Sequence, residues 1–153
     1  PPGCVVDEAS PEGSWRMGVG ITRDYEFPID VTCQLDNVGG PSAGQMFALG
    51  IIDTLTPGEL NGGKQVAGTG TIRADGVVGP IGGIRQKLFG ARGAGAGYFL
   101  APATNCDEVV GHVPDGMRVF AVETLDDSLA VMAGIRGEAS LDTLPSCETA
   151  LAR

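Results

Sequence analysis

The sequence predicts one domain of mixed helices and strands, and three observations carry that reading. The segment Ile29-Asp30-Val31-Thr32-Cys33-Gln34-Leu35 alternates apolar and polar residues with the period of a half-buried strand. From Ala43 to Leu55, Met46, Phe47, Gly50, Ile51 and Leu55 recur at helical spacing with further apolar residues between them, which predicts a helix buried on most sides. After Gly97 the pattern alternates, with strands at Tyr98 to Ala101 and Arg118 to Val122 and helices at Asp107 to Val110 and Leu125 to Met132.

In chain order, residues 1 to 16 mix Pro, Gly, Ser and acids and read as a linker, and Met17 to Ile21 is a short strand. The first 28 residues are thus a linker with one strand, the domain proper runs from 29 to 134, and 135 to 153 is a polar tail. Asp36 to Pro41 is a turn, and the helix after it ends before Pro57-Gly58. Gln65 to Ile72 reads as a strand, Ala74-Asp75-Gly76 as a tight turn into Val77-Val78. Ile84, Leu88 and Ala91 form one stripe of a short helix that stops in the glycines at 93, 95 and 97.

The 153 residues suffice for one core, and 42% apolar against 19% charged residues argue against disorder. A formal charge of -9 and a pI near 4.4 argue against a nucleic-acid or anionic-membrane partner, both of which demand clustered Lys and Arg. No apolar run reaches the ~18 residues of a membrane span. The Pro1-Pro2-Gly3-Cys4 start suggests a piece of a longer chain cut at a linker.

Cys4, Cys33, Cys106 and Cys147 lack C-x-x-C spacing, and with a single histidine they support no metal site. Disulfides are the expectation: a Cys106–Cys147 bridge would pin the tail to the body, with Cys4–Cys33 as the second pair. Cys33 reads equally well as a small buried hydrophobe on the inward side of its strand. A bridge would imply an oxidising compartment.

Two glycine-led helix starts carry the chemistry. In Gly39-Gly40-Pro41-Ser42-Ala43-Gly44-Gln45, Ser42 and Gln45 fit a capping box, S-x-x-Q. A capping box does not explain three glycines around one serine. Glycines admit close backbone approach, and amides at a helix start can stabilise an oxyanion, so Gly40, Pro41, Ser42 and Ala43 form a candidate oxyanion turn. In Gly82-Gly83-Ile84-Arg85-Gln86-Lys87-Leu88, Lys87 lies on the margin of the Ile84/Leu88/Ala91 stripe. A helical lysine ordinarily faces water. One held against apolar neighbours is driven toward the neutral amine, which can take a serine's proton. A Ser42–Lys87 pair would hydrolyse peptide bonds with no cofactor.

Two other motifs compete. Gly58-Glu59-Leu60-Asn61-Gly62-Gly63-Lys64 matches G-x-x-x-x-G-K, but Gln65 stands where a magnesium-binding Ser or Thr belongs and no apolar strand precedes it. Gly40 to Gly44 also fits the G-x-S-x-G nucleophile elbow, with His112 as the base. Against that, His112 lies in the loop-like Gly111-His112-Val113-Pro114 and no clear parallel strand leads into the serine.

Gly40-Pro41-Ser42-Ala43-Gly44, Thr69-Gly70-Thr71-Ile72 and Gly79-Pro80-Ile81-Gly82-Gly83-Ile84-Arg85-Gln86-Lys87-Leu88 resemble successive motifs of the Lon proteolytic domain, over about Ile29 to Met132. Asn37 to Ser42, Asn105-Cys106 and Leu144-Pro145-Ser146-Cys147 resemble the actinobacterial PDZ-Lon branch. The resemblance implies an α+β fold and a Ser-Lys dyad carried by Ser42 and Lys87, with Thr69 hydrogen-bonding the lysine. It implies an ATP-independent endopeptidase acting on peptides or unfolded protein segments, extracytoplasmic, preceded by a membrane anchor and a PDZ domain, and a candidate homo-oligomer. Gly39 departs from the Asp that many ATP-dependent members carry there, and the family's opening hairpin and helix are not recognisable before residue 29. Two further readings stay open: a Ser42–His112 hydrolase, and a binding or scaffold module whose dyad is idle.

Overall fold

A computed structural model of the chain describes residues 5–6, 17–18 and 40–152. The chain divides into two compact units, Pro1–Thr32 and Cys33–Arg153. Within the first, β1 (Val5–Val6) pairs antiparallel with β2 (Met17–Gly18), Val5 opposite Gly18 and Val6 opposite Met17. The strand expected at Ile29–Leu35, and Cys4 and Cys33, lie outside the described residues.

The second unit is built on a three-stranded parallel sheet in the order β3 (Val66–Gly68), β6 (Tyr98–Pro102), β7 (Arg118–Val122). A separate antiparallel ribbon pairs β4 (Thr71–Ile72) with β5 (Val78–Gly79). Successive strand residues point to opposite faces, and both faces of this sheet are apolar, as a parallel sheet covered on both sides requires. Phe99, Ala101, Val119 and Ala121 pack with Ile84, Leu88, Cys106, Val109 and Cys147 on one face. Leu100, Phe120 and Val122 pack with Leu49, Val131, Met132 and Ile135 on the other.

The first face is thus covered by α2 (Ile84–Gly93), α3 (Cys106–Val109) and α5 (Cys147–Leu151), the second by α1 (Gly44–Leu55) and α4 (Leu125–Arg136). This compact arrangement of helices on a mixed set of strands is the expected α+β fold. Thr124 caps α4: its hydroxyl accepts from the Asp127 amide, and the Asp127 carboxylate accepts from the Thr124 amide.

Several elements differ from the sequence reading, each for a local reason. The strand expected over Gln65 to Ile72 is two strands: Thr69 N–H still donates to Leu100 O of the neighbouring strand at 3.1 Å, and the break comes at Gly70, whose N–H turns to Ser42 O at 2.8 Å. α4 runs past Met132 to Arg136, since Ile135 is buried one turn on, and it stops at Gly137 with φ 93°. α1 is buried on fewer sides than expected: only Gln45 and Leu49 are fully buried, and Leu55 is 57% exposed. The motif at Gly58 to Lys64 is a turn held by Asn61, whose side chain accepts from Gly63 N–H and donates to Lys64 O, and it leads into β3 rather than a helix. It is no phosphate loop.

The tail is tied down. Cys106 and Cys147 form a disulfide, both sulfurs in the core, which fixes α5 to α3. Ala121 N–H donates to Pro145 O at 2.9 Å, so the segment before α5 also covers the outer edge of β7.

Candidate active site

Ser42 lies in a one-turn 3-10 helix, Pro41–Ala43, that runs directly into α1. Gly40 before it takes φ 90°, a conformation costly for a residue with a Cβ, and Pro41 presets the first helical φ. This glycine–proline entry is how the sequence turns the chain sharply onto α1. The expected capping box does not form: no side chain caps either helix start, and Gln45 turns away from Ser42 into the core. Within the candidate oxyanion turn, Pro41 has no N–H and serves rigidity alone, and the Gly44 amide is taken by Pro41 O. The Ser42 and Ala43 amides stand at the positive end of the helix start.

Lys87 comes from α2, whose start is set by Gly83 at φ 70°. Ile84 and Leu88 on the same helix are fully buried and anchor it to the sheet. The loop that delivers α2 is itself held: buried Asn105 accepts from Ile81 N–H at 3.0 Å and donates to Ile81 O at 2.9 Å, as a neighbouring strand would. Lys87 is exposed rather than held against the apolar stripe of α2, and its Nζ donates to Ser42 Oγ at 3.4 Å. Ser42 and Lys87, 45 residues apart and each just after a glycine-led helix start, thus meet at one hydrogen bond.

Thr69 is buried, 2% exposed, at the point where the chain leaves β3. Its hydroxyl donates to the backbone carbonyl of Ser42 at 2.9 Å rather than to Lys87. With Gly70 N–H on the same oxygen, the Ser42 carbonyl accepts two hydrogen bonds, and Gln45 N–H returns one to Gly70 O at 3.1 Å. The serine's main chain is therefore fixed from the strand side. His112 lies elsewhere: its Nδ1 is 3.2 Å from Val110 O in its own loop, and among the described residues it makes no bond to Ser42. No group of three or more metal-ligating side chains is found among the described residues.

The sequence reading missed Gln45 as a core residue, along with Asn105 and Ser128, all three buried. The available signal was a polar side chain at an apolar helical or strand-end position, where burial demands a partner.

The family model for the Lon protease (S16) C-terminal proteolytic domain matches residues 35–133. Lon protease 2 of Herpetosiphon aurantiacus is 41% identical over 123 residues, 77% of this chain and 15% of that protein. Lon protease of Campylobacter concisus is 38% identical over 113 residues, 71% of this chain and 14% of the relative. The peroxisomal Lon protease homolog 2 of Caenorhabditis elegans is 30% identical over 122 residues, 78% of this chain and 16% of its own length. The chain thus spans only about one-sixth or less of these relatives. The match covers the Ser42 turn, the Thr69 strand end and the Lys87 helix together: the chain belongs to the Lon protease family, as its C-terminal proteolytic domain.

Proposed function

We propose that this domain is an ATP-independent serine endopeptidase in which Ser42 is the nucleophile and Lys87 the general base and acid, acting on peptides or unfolded protein segments. The observation that carries the reading is the Lys87 Nζ to Ser42 Oγ hydrogen bond between two otherwise unrelated helix starts. A serine hydroxyl attacks poorly until a base removes its proton, and a neutral lysine amine is such a base.

Ser42 Oγ attacks the scissile carbonyl carbon while Lys87 takes the hydroxyl proton. The carbonyl π electrons move to oxygen, where the Ser42 amide at the helix start offers a hydrogen bond. The intermediate collapses, the C–N bond breaks, and Lys87 gives its proton to the departing amine. Water then enters, Lys87 takes one of its protons, and the acyl–serine bond is hydrolysed, returning the proton to Ser42. Thr69 holds the Ser42 carbonyl through the cycle, a role different from the lysine contact that the resemblance implies. The chemical step needs only the serine, the lysine and water, so hydrolysis of the peptide bond itself consumes no nucleotide.

In the longer protein we place the domain outside the cytoplasm, behind a membrane anchor and a PDZ domain, and able to self-associate. The Cys106–Cys147 disulfide supports an oxidising compartment, and the Asn105-Cys106 and Leu144-to-Cys147 segments support the PDZ-Lon branch. The test is turnover of unfolded casein from pH 6 to 10, without ATP or metal, by the parent, Ser42→Ala, Lys87→Ala and His112→Ala. The proposal expects the first two variants dead, the third active, and a parent rate that rises with pH, as a base-assisted attack requires. Activity that survives Lys87→Ala would refute the dyad.

A further inference from the structure

Gln45 is the one fully buried polar residue of α1, three positions after Ser42 and 0% exposed. Its Nε2 donates to Ser128 Oγ at 3.0 Å across 83 residues, and Ser128 Oγ donates to Thr124 O at 3.0 Å. Ser128 is also 0% exposed. A short buried chain of hydrogen bonds therefore joins the first turn of α1 to the first turn of α4. The remaining oxygen, Gln45 Oε1, has no hydrogen-bond partner and lies against Gly70, where an added Cβ would come within 2.5 Å of it. Gly70 is the residue whose N–H holds the Ser42 carbonyl and whose carbonyl takes the Gln45 amide.

Burying a carboxamide with one end unsatisfied costs free energy that an apolar residue of the same size would not. Packing alone thus gives no reason for a glutamine here. What a glutamine adds is direction: the Ser128 bond fixes the rotation of α1 about its axis and its slide along α4, which a surface of leucine-like contacts leaves looser. The helix start so fixed is the one that presents Ser42 to Lys87.

We infer that Gln45, through Ser128, is a positioning residue that sets the register of the Ser42 turn against α4, an inference that rests on Ser42 being the nucleophile. Ser42 leads into α1 and Lys87 lies on α2, helices on opposite faces of the sheet; Thr69 and Gly70 hold the Ser42 carbonyl from the strand side, and the Gln45–Ser128 bond holds the next turn from the α4 side. A misplacement of the nucleophile by a fraction of an ångström lowers the chemical step and leaves substrate binding largely intact.

The experiment compares Gln45→Leu, Ser128→Ala and the double variant with the parent and with Ser42→Ala. It measures kcat and KM on casein-derived peptides and the rate of Ser42 phosphonylation by a fluorophosphonate, each scaled to the folded fraction from circular dichroism. Both single variants should lower kcat by about 10- to 100-fold with KM changed by less than about twofold, and the double variant should be no worse than either single one. Ser128→Ala removes only a hydroxyl and keeps the test open where Gln45→Leu fails to fold. If Ser42→Ala is dead while the Gln45 and Ser128 variants match the parent, or if their losses vanish after scaling to the folded fraction, the positioning role is wrong and Ser42 still stands as the nucleophile. If Ser42→Ala works as well as the parent, or the parent neither turns over peptide nor reacts with the phosphonate, the dyad reading falls and the positioning role with it.

Discussion

Replacing Cys106 and Cys147 together by serine should cost the domain much of its stability. The bridge closes a loop of 41 residues and so removes conformations from the unfolded chain. In the chain-entropy treatment a loop of that length is worth about 4 kcal/mol at 25 °C. Both half-cystines are in the core, 0% and 1% exposed, so two buried hydroxyls add to the loss rather than offset it. Against a net stability of about 5–15 kcal/mol for a domain, that is a large share. Urea unfolding followed by far-UV circular dichroism, on the oxidised parent and on the double variant, reads the difference directly. A stability loss of about 4 kcal/mol is expected, with a slope steeper than the parent's because the unbridged unfolded chain is more expanded. A change below about 1 kcal/mol would show that the tail is held by its packing and by the Pro145 contact to Ala121, and that the loop-closure argument is wrong here.

Asn105→Ala removes both contacts to Ile81 and should loosen the loop that delivers α2, lowering peptidase activity by about tenfold and stability by roughly 1–3 kcal/mol, checked by steady-state turnover beside urea melts. Gly70→Ala would put a Cβ 2.5 Å from Gln45 Oε1 and 2.7 Å from Val78 Cγ1, and the overpacking should cost about 1–3 kcal/mol by thermal melt. Thr124→Ala deletes the cap of α4 and should destabilise by about 1 kcal/mol, read by the same melt.

Strands β6 and β7 and the end of α2 were legible because each has a clean period or a marked end, whereas α5 and the last turn of α4 were not, since Cys147–Leu151 lies in what reads as a polar tail and the apolar pattern fades after Met132. Arg118 to Val122 and Tyr98 onward read as strands, and the glycines after α2 stop it where the structure does. The pairing of Ser42 with Lys87 was legible because two glycine-led starts bracket a serine and a lysine that ordinary capping leaves unexplained. What could not be read were contacts fixed by tertiary geometry. Gln45 looks like the far end of a capping box until α4 is placed beside it, and then Ser128, 83 residues away, becomes its partner. Thr69 looks like an ordinary strand threonine or a partner for lysine. Only the turn of the chain after β3 brings its hydroxyl to the Ser42 carbonyl. Asn105 likewise has no periodic signature, because its partners are the backbone groups of one residue in a distant loop.

Labelling the chain with a fluorophosphonate and locating the adduct by peptide mass spectrometry asks whether Ser42 is a nucleophile activated by Lys87. One modified serine, Ser42, is expected, with a labelling rate that climbs with pH and falls by about 100-fold or more in Lys87→Ala. An adduct on another serine, or a Ser42 rate that is the same with and without the lysine, would contradict it.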